Sequence, residues 1–135
     1  MSPLAPSARP RRAVAALLAA QFALMWAAFF VLSAALDWPT SLGLPAALKL
    51  ELFAAHQPAA LVGYGLYTAS ALLLIPAAVV LRRTLLPGSA LGDLSVVLGA
   101  SAGIVKTVAL SRWLLVAPAL AAGLVGASPD AQALT

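Results

Sequence analysis

Two positively charged residues, Lys106 and Arg112, lie inside an apolar stretch that covers residues 94 to 117. A lysine at such a position can bind an anion, relay a proton or line a transport path, and intramembrane ionisable groups are candidates for function. It can equally be a structural residue whose ammonium group is satisfied by a carbonyl or hydroxyl of a neighbouring helix. The sequence leaves both roles open for Lys106.

The stretch around Lys106 predicts a membrane-spanning helix despite its charges. Its eleven Leu, Ile and Val residues favour insertion by about 3 to 7 kcal/mol, whereas a central lysine costs about 2.5 to 3.5 kcal/mol. Small residues share one helix face with Lys106, including Gly99 and Gly103, whose GxxxG spacing is typical of helix packing in membranes. The opposite face carries large apolar residues that we expect to meet lipid: Val97, Ile104, Val108 and Leu115.

The composition places the chain in the membrane class. Of its 135 residues, 63% are hydrophobic and 9% are charged, which lies far outside the range of soluble domains. No cysteine, one histidine and four acidic residues cannot build a zinc cluster, and no phosphate-binding loop is found. We therefore predict no enzyme activity, no metal site and no cofactor. The basic residues lie beside or inside apolar stretches, so we expect no nucleic-acid partner.

Three apolar stretches predict an all-α, polytopic membrane protein with a single transmembrane domain over residues 13 to 126. Each stretch is long enough to cross the apolar core of a bilayer, and they cover residues 13–36, 59–81 and 94–117. A signal peptide is the alternative for the first of them, but secretory apolar regions are usually shorter.

The two ends of the chain predict different structures. Residues 1 to 12 contain three prolines and three arginines, which predicts a flexible basic tail. Residues 127 to 135 form either a tail or the start of a further helix, because Ser128, Pro129 and Asp130 have the features of a helix N-terminus.

The distribution of lysine and arginine predicts the orientation in the membrane. The loop of residues 37 to 57 holds Lys49 alone, whereas the N-terminus and the second connection hold five arginines: Arg9, Arg11, Arg12, Arg82 and Arg83. The positive-inside rule then places the N-terminus in the cytoplasm and the loop outside, in the inner (plasma) membrane. Interface anchors are expected at three positions: Trp38, Arg112 and Trp113.

Within the outer loop, residues 45 to 56 predict a short helix along the membrane surface. Its first residue is Pro45, and Pro58 follows shortly after its end, which is typical of helix ends. The alternating letters LKLEL also permit a short strand.

Polar residues on the first two spans are the candidate partners of Lys106. Tyr64 and Tyr67 place phenol groups at similar depth on the second span, and Gln21 lies within the first span. These side chains can act as hydrogen-bonding contacts between helices or as the walls of a polar cavity, and the sequence leaves both interpretations open.

Three segments resemble a bacterial integral-membrane family called domain of unknown function 4386. The segments are DWP at 37 to 39, GYGLYTASALLLIPAAVVLRR at 63 to 83, and RWLLVAPALA at 112 to 121. The family's members typically have about twice this length and about six helices. The resemblance implies that this chain corresponds to the N-terminal half of a bundle of roughly six helices. It implies no catalytic or binding residue.

Two functions follow as hypotheses. The favoured one is a structural or interaction protein of the lipid bilayer that assembles, through small-residue helix faces, with copies of itself or with another membrane protein. The alternative is a protein that binds or transports a small molecule, a lipid or a proton in a polar interior around Lys106.

Overall fold

The structure, a computed structural model, describes the backbone of residues 8 to 126 and the side chains of residues 11 to 123. Within that range every regular element is helical. Five α-helices follow one another: α1 (Ala8–Leu36), α2 (Ala46–Ala55), α3 (Gln57–Leu85), α4 (Ala90–Ser111) and α5 (Ala117–Gly126). A 3-10 turn, Thr40–Gly43, precedes α2, and a π-helical turn, Arg112–Val116, joins α4 to α5. The predictions for residues 1 to 7 and 127 to 135 lie outside the described residues.

Helix α1 begins at Ala8, so the end of the predicted flexible tail is helical. Pro10 does not prevent this, because the first amides of a helix have no intrahelical partner and a proline is tolerated in the first turn. The helix then continues through the uncharged residues 13 to 36 to its end at Leu36.

Three helical segments are long and apolar enough to cross a membrane. They are Arg11–Leu36, Gln57–Leu85 and Ala90–Gly123, with 26, 29 and 34 residues, whereas about 20 residues suffice for the apolar core of a bilayer. The sequence prediction of an all-helical chain with three such helices is confirmed. The third segment is longer than predicted, because α4, the π-helical turn and α5 form one continuous rod.

Helix α3 lies between α1 and α4, and it packs extensively on both, whereas α1 and α4 make little direct contact. Gly63 marks the α1 contact, since a Cβ atom added there would stand 2.6 Å from a methyl carbon of Leu32. Gly103 marks the α4 contact, where an added Cβ would stand 2.9 Å from the carbonyl oxygen of Ala71. Both contacts run antiparallel, and the three helices form a layer with α3 in the middle.

The connection between α3 and α4 is short and closed by local polar contacts. The Ser89 hydroxyl oxygen accepts a hydrogen bond from the backbone N–H of Gly92 at 3.0 Å, which caps the N-terminus of α4. Asp93 lies in the first turn of α4 and forms an ion pair with Arg82 from the last turn of α3. The carboxylate also interacts favourably with the helix dipole. With Arg11, Arg12 and Arg83, this connection forms what we call the arginine end of the layer.

The opposite end of the layer, which we call the α2 end, is closed by α2. Residues 46 to 55 form a helix rather than the alternative strand, and Phe53 is 1% exposed and contacts the ring of Trp113. The helix packs on α5 as well.

Pro118 accounts for the π-helical turn that precedes α5. Its ring crowds the carbonyl of residue 114 in an ordinary α-helix, and it has no N–H to donate. The chain widens there, and the N–H of Ala117 bonds the carbonyl of Arg112, five residues back.

Gly103→Leu tests the close contact between α3 and α4. We expect it to lower the free energy of unfolding by about 1 to 3 kcal/mol, because the new side chain would overlap Ala71 and Ile75. The measurement is thermal unfolding in detergent. The matched control is Ala109→Leu on the exposed side of the same helix, and an equal loss of stability in both variants would contradict the contact.

Candidate functional site

Lys106 lies against the face of an aromatic ring. Its Nζ atom stands 4.0 Å from the centre of the Tyr67 ring, and its side chain is half-buried on the side of α4 that carries Gly99 and Gly103. A cation over an aromatic face gains about 0.5 to 2 kcal/mol or more, the upper end applying where water is excluded. Among residues 11 to 123, no carboxylate forms an ion pair with Lys106. The Tyr67 ring is therefore the charge partner that the bundle gives this lysine.

Tyr67 connects the two sides of the layer. On one side Tyr67 contacts Lys106 of α4. On the other side it contacts Trp38, which follows the end of α1, with 6.4 Å between the two ring centres. On that second side an apolar cavity of about 140 Å³ is lined by large side chains: Met25, Trp26, Phe29, Leu32, Trp38 and Tyr67. Lys106 does not line this cavity.

Tyr64 belongs to a different cluster, at the α2 end. Its ring stacks on Trp113 with a centre-to-centre distance of 5.1 Å and an angle of 3° between the planes. The Phe53 ring lies on the same indole at 6.2 Å. Tyr64 is 4% exposed, so this cluster is part of the packed core.

Gln21 lies apart from both tyrosines. It is half-buried on the face of α1 that also carries Ala28 and Leu32, and its amide forms no side-chain hydrogen bond to another described residue. The four residues predicted to surround a polar interior are thus distributed over three places. Lys106 and Tyr67 meet, whereas Tyr64 and Gln21 do not join them.

Hydroxyl groups on α3 do not complete a polar interior either. The Thr68 hydroxyl donates to the carbonyl oxygen of Tyr64 at 2.8 Å, and the Ser70 hydroxyl donates to that of Tyr67 at 2.7 Å. Both groups are satisfied within their own helix, which is a common arrangement for Ser and Thr in helices.

The three predicted interface anchors lie at the α2 end. Trp38 and Trp113 are half-buried and direct their rings into the protein, towards Tyr67 and Tyr64. Arg112 is exposed, and its guanidinium carbon stands 5.5 Å from the centre of the Trp113 ring. The two indoles therefore hold helices together, and the arginine is left at the surface.

Sequence reasoning missed an aromatic stripe on α1. Trp26 contacts Phe22, Phe29 and Phe30 with ring centres 5.9, 5.6 and 5.7 Å away. A signal was available, because aromatic residues at 22, 26 and 30 recur every four positions and must share one helix face. The stripe is exposed along most of its length.

No protein-family model, no curated protein and no solved structure matches this chain. The resemblance to domain of unknown function 4386 stays a prediction.

A double-mutant cycle tests the contact between Lys106 and Tyr67. Tyr67→Leu should destabilise the wild-type chain by about 1 to 2 kcal/mol more than it destabilises a chain that already carries Lys106→Met, because only the first background loses the cation–π contact. The free energy of unfolding in mild detergent is the quantity to measure. Equal effects in the two backgrounds would show that the ring does not stabilise the charge.

Proposed function

We propose that the chain is a bilayer-spanning interaction protein that assembles as a pair of copies through the outer face of α1. One observation supports this most directly. Five alanines share one face of α1, and each of them is exposed on the side away from α3: Ala16, Ala20, Ala23, Ala27 and Ala34. Small residues let membrane helices approach closely, so this face suits a helix from another molecule.

The other small-residue face of the chain is already occupied. Gly99 and Gly103 lie against α3, where an added Cβ would stand 2.7 Å from Ala78 and 2.9 Å from Ala71. Assembly through the GxxxG pair would require α4 to leave α3. The α1 face can be used without any rearrangement of the described fold.

Placement in a bilayer is supported by the exposed apolar side chains on the long helices. On α4, the residues that the helical wheel assigns to lipid are each more than half exposed: Val97 at 61%, Ile104 at 56%, Val108 at 67% and Leu115, in the following turn, at 73%. Such a surface would be unfavourable in water and favourable in lipid. The charge distribution supports an orientation with the arginine end in the cytoplasm and the α2 end outside, across the plasma membrane.

A second copy fits the α1 face because that face is complementary to itself. The alanines adjoin the aromatic stripe, in which Phe22 and Phe30 are 60% and 62% exposed. If both copies have the same orientation in the membrane, their α1 helices meet as a parallel pair. A two-fold axis between them then brings the same residue of each copy to the same depth in the membrane. The large rings of one copy would then lie over the alanines of the other.

The alternative, a binding or transport protein around Lys106, would have to use the apolar cavity beside Tyr67, which Lys106 does not line. The aromatic cavity beside Tyr67 measures about 140 Å³. Ligand pockets usually measure about 300 to 1,000 Å³, and for this reason we prefer assembly.

Cysteine cross-linking in liposomes tests the assembly. The natural chain contains no cysteine, so Ala23→Cys introduces a single thiol on the α1 face. Oxidation should give a disulfide-linked dimer, because the two copies would bring position 23 together with itself near the two-fold axis. The matched control is Val105→Cys, which is 68% exposed on α4 and should stay monomeric.

A companion variant measures the same surface without a thiol. Ala27→Phe should weaken the dimer by about 1 to 3 kcal/mol through overlap at the small-residue face, whereas Ala102→Phe on the exposed side of α4 should not. Equal cross-linking at positions 23 and 105, or a dimer that tolerates Ala27→Phe, would reject the proposal.

A further inference from the structure

We infer that the groove between α2 and the π-helical turn binds the headgroup of an anionic phospholipid. The groove is an open cavity of about 330 Å³. Lys49 from α2 and Arg112 from the π-helical turn both line it, and much of the remaining wall is apolar: Leu50, Trp113, Val116 and Leu120. This inference uses only the bilayer placement in the proposed function and does not depend on the pairing of copies.

The two cations have no acidic partner in the groove. None of its described lining residues is acidic, and in the part of the chain with described side chains neither Lys49 nor Arg112 forms an ion pair. Glu51 is two residues from Lys49 on α2, about 200° further around the helix, so it faces another direction. Two positive groups that share a cavity without a carboxylate are complementary to a phosphate, which both lysine and arginine bind through charge-assisted hydrogen bonds.

Arg112 has an aromatic contact beside the groove. Its guanidinium lies over the Trp113 ring, and that ring is stacked on Tyr64. Arg112 is also the first residue of the π-helical turn, and such turns are frequent at functional sites. An arginine with such a contact loses less side-chain entropy on binding than an arginine without one.

The depth of Arg112 fits a phospholipid in particular. It follows Asp93 by 19 residues, about 28 Å along the helix at about 1.5 Å per residue, and the apolar core of a bilayer is about 30 Å thick. When the Arg82–Asp93 ion pair lies at one interface, Arg112 reaches the phosphate groups of the other. Val116 and Leu120, 51% and 53% exposed, lie about one and two turns further along the rod than Arg112 and form part of the apolar wall of the groove.

Native mass spectrometry of the full chain in detergent, titrated with phosphatidylglycerol, tests this site. The wild-type chain should retain one phosphatidylglycerol at concentrations where it retains no phosphatidylcholine. Lys49→Gln and Arg112→Gln should each weaken retention about fivefold, since a lysine or arginine near an anionic surface contributes about 1 kcal/mol. Lys49→Arg, which keeps the positive charge, should retain the lipid as well as the wild-type chain does.

Arg83→Gln is the matched control, because it removes the same charge from an exposed arginine at the other end of the layer. It should leave retention unchanged. Arg112→Gln could also disturb the π-helical turn, so Lys49→Gln, on a different helix, carries the test if the Arg112 variant unfolds.

Several results would overturn the site. If Arg83→Gln weakened lipid retention as much as Lys49→Gln does, the lipid would be attracted by the net charge of the chain and not by the groove. If an equal concentration of glycerol phosphate displaced the lipid, the groove would be a site for free phosphate. The same spectra report the dimer fraction. In Lys49→Gln or Arg112→Gln, a lower dimer fraction with unchanged lipid retention would make the groove a protein contact and overturn the lipid site. In the wild-type chain, a monomer that retains phosphatidylglycerol would reject the pairing of copies and leave the lipid site in place.

Discussion

Close backbone contact on both sides of α3 is the constraint on which the other contacts depend. Leu32 of α1 lies where a side chain on Gly63 would be, and α3 in turn fills the space that side chains on Gly99 and Gly103 would need. In a bilayer the hydrophobic effect does not drive helices together, so van der Waals contact of this kind has to do so. With α1 and α4 fixed at these distances, Tyr67 lies between them and reaches Lys106 on one side and Trp38 on the other.

Aromatic rings take the place of carboxylates as partners for Lys106 and Arg112. Asp93 pairs with Arg82 at the arginine end, whereas Lys106 lies over Tyr67 and Arg112 lies near Trp113. A ring stabilises a cation without the large desolvation cost of burying a second full charge. A chain with four acidic and eight basic residues can therefore carry a lysine within a long apolar helix.

The sequence allowed the helices to be predicted well because apolar length and the spacing of small residues are local signals. The three apolar helices and the position of α2 follow from such signals. The packing partners could not be predicted, since they depend on how helices rotate against each other. Tyr64 and Tyr67 lie three residues apart and were grouped together, yet one stacks on Trp113 and the other meets Lys106. The π-helical turn at Arg112–Val116 could not be predicted either, because no periodic pattern in the sequence indicates it, although Pro118 explains it once the structure is known.

That turn determines the direction in which α5 faces. A π-helical turn holds about one residue more than an α-helical turn, and each residue of an α-helix rotates the chain by about 100°. The rod from Ala90 to Gly126 can therefore direct α4 towards α3 and α5 towards α2. An ordinary α-helical turn in place of the π-helical turn, with the same number of residues, would rotate all later positions by about 100° and turn Ala117 and Ala121, now 5% and 2% exposed, away from α2. Deletion of one residue together with the wide turn would leave the direction of α5 unchanged, so the segment tolerates a shorter chain only when the turn narrows with it.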